Sequence, residues 1–116
     1  MHRYKNLEVW KKAMDLAETI YSATNNFPEE EKFGLISQMR RCAVSVASNI
    51  AEGAGRNSNK EFNQFLGIAQ GSTFELETQV LLSKRLKFLT EEAEKAIIDQ
   101  LNAIANMIFK LKKNLK

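Results

Sequence analysis

A single cysteine, Cys42, leaves this chain without an internal disulfide, and its place on the apolar face of a helical pattern marks it as a core side chain rather than a nucleophile. One proline and five glycines, with no low-complexity run, exclude linkers and collagen-like repeats. No stretch approaches the ~20 apolar residues that a membrane-spanning helix requires. The N-terminal MHRYKNLEVW has neither the apolar run nor the small-residue cleavage site of a secretory signal. A soluble protein of the reducing cytoplasm, without a membrane partner, is therefore expected. The lone histidine, His2, falls at a terminus expected to be frayed and exposed, so neither a catalytic triad nor a Cys/His zinc site can be built. Gly53, Gly55, Gly67 and Gly71 form no phosphate loop, and Glu75 and Glu77 do not share a helix face. These scarcities predict a protein that is not an enzyme and that takes no cofactor or metal.

What the sequence does contain is helical periodicity from end to end. With 44% hydrophobic residues, residues 1–116 suffice for one small domain. A first helix is predicted from Leu7 to Thr24, N-capped by Asn6, with Leu7, Trp10, Ala13, Met14, Ala17 and Tyr21 as its apolar stripe. Phe27-Pro28 ends it, and Glu29-Glu30-Glu31 form a helix-start cluster rather than a metal site, because carboxylates favour the positive end of the helix dipole. Gly34 breaks that turn from a second helix, Leu35 to about Ala54. Ser58 and Glu61 make a capping box for a third, Asn59 to about Phe88, with Phe62, Phe65, Leu66, Ala69, Thr73, Leu76 and Val80 on one side. Thr90 caps a fourth, whose stripe is Ala93, Ile97, Leu101, Ile104, Ile108 and Leu111. Short connections between long amphipathic helices make neighbours antiparallel, so the predicted fold is an all-α, up-down-up-down four-helix bundle.

Two faces are left over once these stripes are assigned to a core. On the second helix Ser37, Gln38, Arg41, Ser45, Ser48, Asn49 and Glu52 lie opposite the apolar residues, and small polar side chains predominate where a solvated face normally carries long charged ones. Arg41 and Glu52 are ~16 Å apart along the axis and cannot pair with each other, so each needs another partner. Glu52 also stands near a helix C-terminus, which disfavours a carboxylate, so a cationic or donor-rich neighbour on another helix or subunit is expected for it. On the third helix Gly67, Gly71, Phe74, Thr78, Leu81 and Leu82 fall away from the core stripe. Interior glycines cost about 1 kcal/mol each relative to alanine, which suits a close backbone approach, either by another subunit or by the serine-rich second helix.

The segments LEVWKKAMDLAETIY, FPEEEKFGLISQMRRCAVSVASNIAEG and FLGIAQGSTFELETQ, with the cap at Ser58–Phe62, resemble the 23S rRNA intervening-sequence proteins over nearly the whole chain. The most specific positions are Leu35, Gln38, Arg41, Ser45, Asn49, Ile50, Ala51, Glu52 and Gly53, supported by Phe65, Ala69, Gly71, Ser72, Glu75 and Glu77. The resemblance implies a four-helix protomer that assembles as a ring-like homopentamer with no established enzymatic activity. It also suggests distant kinship with a basic pentameric accessory protein of diversity-generating retroelements, which associates with a reverse transcriptase and nucleic acid.

Net charge +3 permits contact with nucleic acid without establishing it. Arg3, Lys5, Lys11 and Lys12 near the start add to the basic residues that motivate such contact, and Lys84, Arg85 and Lys87 near the end of the third helix, with Lys110, Lys112 and Lys113 near the C-terminus, are the candidate phosphate contacts. Basic residues at helix C-termini also serve ordinary dipole and solubility roles. A ring would multiply even a modest patch into a multivalent surface for RNA or DNA, read without base specificity because no aromatic-interleaved RNA motif occurs. The alternative function is a structural adaptor that recruits a protein partner through its helical ring.

Overall fold

The computed structural model describes residues 2–115; Met1 and Lys116, the ends of the expected domain, lie outside the described residues. The chain is all-α, with four helices and no strand among the described residues: α1 Glu8–Thr24, α2 Leu35–Ala54, α3 Asn59–Arg85 and α4 Glu91–Asn114. Short 3-10 turns at Tyr4–Asn6 and Glu29–Glu31 precede α1 and α2.

Local chemistry sets most of the boundaries. Ser58 Oγ accepts the Glu61 N–H at 3.1 Å, and Thr90 Oγ1 accepts the Ala93 N–H at 3.1 Å, so α3 and α4 begin where their capping residues predict. The Glu61 carboxylate accepts from the Ser58 hydroxyl at 3.2 Å. Gly34 carries no side chain with which to cap α2; Glu31 Oε1 accepts the Leu35 N–H at 3.1 Å instead, which gives the acidic cluster a specific job at the positive end of that helix. Asn6 does not cap α1. It is part of the preceding 3-10 turn, and Leu7 takes the N-cap position without a side-chain bond.

α3 ends at Arg85, one turn short of Phe88. Lys87 adopts φ 67°, its N–H bonds to Lys84 O at 3.0 Å and the Phe88 N–H reaches back to Ser83 O at 2.9 Å, which is the double-bonded left-handed helix stop that usually employs glycine.

Each helix packs on two others: α1 on α2 and α4, and α3 on α2 and α4, with α2 and α3 in the most extensive contact. Gly53, late in α2, meets Phe62 and Phe65, early in α3, whereas Met39, early in α2, meets Ser83, late in α3. The core contains Ala13, Leu16 and Ile20 from α1, Met39, Val46 and Ile50 from α2, Phe62, Leu66 and Leu76 from α3, and Ile97, Ile104 and Ile108 from α4. Fully burying each large side chain stabilises the fold by about 1.5–3 kcal/mol.

The α1 stripe differs from the expectation. Ala13 is buried as expected, but it is Val9, Leu16 and Ile20 that face the centre with it, while Met14 and Tyr21 are each 44% exposed. Both sets recur at helical spacing, and the covering helices take the β-branched and leucine set, leaving the other along the α1–α2 seam.

Candidate functional site

The polar-small face of α2 divides into two halves with different fates. Its inner half is satisfied within the chain: Asn49 Nδ2 donates to Ser45 O at 2.8 Å and to Ser45 Oγ at 3.0 Å, and the Ser45 and Ser72 hydroxyls lie 3.0 Å apart. The buried Cys42 thiol donates to Ser72 O at 3.1 Å. Burial first, and the nearby Glu75 carboxylate second, push that thiol up to about 12, which makes it inert as a nucleophile at neutral pH. Gln38, Arg41, Cys42, Ser45, Ser72 and Glu75 line an open cleft along this α2–α3 seam. The outer half is uncovered. Arg41, Ser48, Glu52 and Gln38 are exposed and Ser37 is half-buried.

The expected partner of Glu52 is corrected by the structure. Its carboxylate accepts from Arg56 Nη2 at 3.3 Å, one helical turn on, rather than from another helix or subunit. Arg41, for which a partner was also expected, has no ion pair or hydrogen bond among the described residues. Its neighbour Arg40, which the sequence did not single out, is the arginine that joins helices: Nε donates to Thr24 Oγ1 at 2.9 Å, Nη2 to Tyr21 O at 3.3 Å and to Asn25 Oδ1 at 3.0 Å, and the guanidinium stacks 4.6 Å from the Tyr21 ring. It thereby adds a charged donor to Tyr21 O, a carbonyl in the last turn of α1, beside the Thr24 hydroxyl that also donates to it at 3.3 Å.

The two glycines of α3 do not mark the crossing with α2. A Cβ at Gly71 would meet nothing within 4 Å, and one at Gly67 would meet only the tip of Lys112, at 3.3 Å. The close crossing is at Gly53 instead, where a Cβ would stand 2.6 Å from Phe65 Cβ. Around Gly71 the outward side of α3 carries exposed Ile68, Phe74, Leu81 and Leu82, and from Asn63 to Leu82 its only exposed charge is Glu75.

The two basic clusters do not meet. Lys84, Arg85 and Lys87 stand at the end where the rings of Phe27 and Phe88 are 5.4 Å apart, among the carboxylates that open α4 and the turn at Glu29–Glu31. Lys84, Arg85 and Lys87 line an open pocket there with Phe88, Leu89 and Thr90. Lys110, Lys112 and Lys113 lie at the other end of a molecule 43 Å long.

That second end gains cations and aromatics from elsewhere in the sequence. His2 is exposed, as expected, but not frayed: its N–H bonds to Ala54 O at 2.7 Å and its ring lies 5.0 Å from that of Phe62, which brings Arg3 and Lys5 beside the α2–α3 connection. Arg56 stacks 4.7 Å over Phe65, Tyr4 meets Trp10 edge-on at 5.1 Å, and Phe109 is 59% exposed next to Lys110. The aromatic interleaving missing from the linear sequence is thus present in space. Lys112 is half-buried, and Lys110 and Lys113 are exposed. Among the described residues, no three His, Cys, Asp or Glu side chains gather as metal ligands, and no helix is long and apolar enough to cross a membrane.

A family model described as 23S rRNA-intervening sequence protein matches residues 5–110. The structure is similar to a crystal structure of a protein of unknown function from the S23 ribosomal protein family of Bacteroides thetaiotaomicron VPI-5482, with a TM-score of 0.83 and 24% identity. That similarity covers 90% of this chain and 95% of the other and shows a shared fold. No curated protein matches the sequence.

Proposed function

The chain belongs to the 23S rRNA-intervening sequence protein family, and from that premise we propose that it is a non-enzymatic cytoplasmic protein that assembles with copies of itself and contacts nucleic acid through its basic end. The protomer is an up-down-up-down bundle repeated around a ring, with five copies as the family resemblance implies. The observation that carries the reading is the outward side of α3. A helix in a four-helix domain needs one apolar stripe for its core, yet α3 also leaves Ile68, Phe74, Leu81 and Leu82 uncovered around a glycine with open space above it.

The nucleic-acid part of the reading rests on the end built by Arg3, Lys5, Arg56, Lys60, Lys110, Lys112 and Lys113, where cations outnumber Glu8, Glu52 and Glu61. Lys84, Arg85 and Lys87 are the weaker candidates, because the carboxylates of Glu91, Glu92 and Glu94 share their end and compete with phosphate. Repetition around a ring makes the stronger surface multivalent.

Light scattering and RNA binding across a salt series test both parts. An oligomer whose affinity falls linearly with the logarithm of salt concentration, and falls further when Lys110, Lys112 and Lys113 become glutamine, is the expected result. A monomer at micromolar concentration overturns assembly. An intact oligomer that binds neither RNA nor DNA at low salt overturns nucleic-acid contact and leaves the protein-adaptor reading, which the same uncovered α3 face would serve.

A further inference from the structure

Two uncovered surfaces of this chain have complementary shape and charge. The first is an open cleft between α1 and α2, walled by Tyr21, Phe33, Ile36 and Val44, with Lys32 and Arg41 at its rim. Phe33 is 88% exposed at its mouth, and Tyr21 and Val44 are exposed beside it. The cleft is therefore apolar inside and cationic outside, and the Arg41 guanidinium lacks a partner among the described residues.

The second surface is the outward side of α3. Gly71, Phe74, Glu75 and Thr78 share one helical face. Phe74 projects between two small residues, and Glu75, the only exposed charge on this stretch, lines the α2–α3 cleft with Arg41 of its own chain but makes no ion pair with it among the described residues. A protruding aromatic ring beside a carboxylate, on a helix that other backbone can approach closely, is what an apolar cleft with a cationic rim accommodates.

We propose that α3 of one copy seats in the α1–α2 cleft of the next, with Phe74 among Tyr21, Phe33 and Val44, and Glu75 directed to Lys32 and Arg41. This rests on the self-assembly reading and specifies which faces meet. The two surfaces are different patches of one chain, so the contact is head-to-tail and leaves each copy an unused cleft and an unused α3 until the assembly closes.

Cysteines placed on the small residues that border each face report the contact while sparing Phe74, Val44 and both charges. Ser37 lines the cleft and Thr78 flanks Phe74, and the buried Cys42 thiol, being inert, leaves wild-type protein as the blank. Full-length Ser37→Cys, Thr78→Cys and the double variant are treated with a short bismaleimide at micromolar concentration and resolved under denaturing conditions. The double variant is expected to give a ladder of covalent multimers, the equimolar mixture of single variants a covalent dimer, and each single variant alone only monomer. Dimers from Thr78→Cys alone would overturn the proposal in favour of paired α3 faces. No product from any combination, with each variant oligomeric by light scattering, would overturn it while leaving self-assembly standing; a monomeric wild-type chain would overturn both.

Discussion

Replacing Gly53 with alanine tests the tightest contact in the bundle. The new Cβ would stand 2.6 Å from Phe65 Cβ, 3.0 Å from Phe62 Cδ1 and 3.3 Å from Phe62 O. Phe65 Cβ is anchored to its own backbone, and Phe62 is 1% exposed and enclosed by the core, so neither can swing aside. The helices must separate locally, and forced insertion into a packed site costs about 1–3 kcal/mol. Alanine recovers at most about 1 kcal/mol through its higher helix propensity. A backbone-level clash belongs at the upper end of the packing range, so the net loss should be about 2 kcal/mol, or about 8 °C in Tm for a domain of this size. Gly71→Ala is the matched control. With nothing within 4 Å of its Cβ, it should stabilise the dilute, unassembled chain by about 1 kcal/mol while weakening any assembly that brings another helix against α3. Thermal and urea unfolding measure the first effect and light scattering the second. A Gly53→Ala protein as stable as wild type would refute the idea that α2 and α3 touch through backbone here.

Arg40→Ala should cost about 2 kcal/mol in urea unfolding, because it removes the charged hydrogen bonds that join α2 to the end of α1, whereas Arg41→Ala should leave the unassembled chain unchanged and act on oligomer mass. Lys87→Gly should raise stability by about 1 kcal/mol, since φ 67° is unfavourable for a side-chain-bearing residue, and a lower Tm would show that its side chain contributes more than its backbone costs. Because the Cys42 thiol is held above its ordinary 9.0, the unfolded chain loses this proton first as pH rises. Its contribution is therefore complete below about pH 9 and is lost progressively towards 12. Urea midpoints of wild type and Cys42→Ala measured from pH 7 to 11 should show the wild type losing more stability, and parallel curves would refute the shift.

Helix existence and the starts of α2, α3 and α4 were legible because each has local chemistry, at Gly34, Ser58 and Thr90, that acts within a few residues. The α1 face was not. Around Ala13, which was expected in the core and is buried there, Leu7, Trp10, Met14 and Tyr21 compete with Val9, Leu16 and Ile20 at the same period, and only the neighbours decide which set is covered. Arg40 and Arg41 are adjacent in sequence but ~100° apart around the helix, so the choice between them turns on where α1 ends. The basic clusters were read by proximity along the chain, which cannot reveal that the length of α4 holds them apart or that His2 draws Arg3 and Lys5 to the C-terminal end. Gly53 was placed on the apolar face of α2, yet its close approach depends on Phe65, a residue of another helix.

The gathering of cations at one end of a 43 Å body, with carboxylates mixed among the cations of the other, gives the molecule a direction that its helices do not. A particle charged in this way turns in an electric field before it makes contact. Approaching a polyanion, it arrives with its His2 end leading, and fewer encounters are wasted in wrong orientations. The torque fades as salt shortens the reach of the field, to about 8 Å at physiological ionic strength, far less than the molecule's own length. Alignment is then confined to the final approach, so salt should slow association as well as weaken the complex.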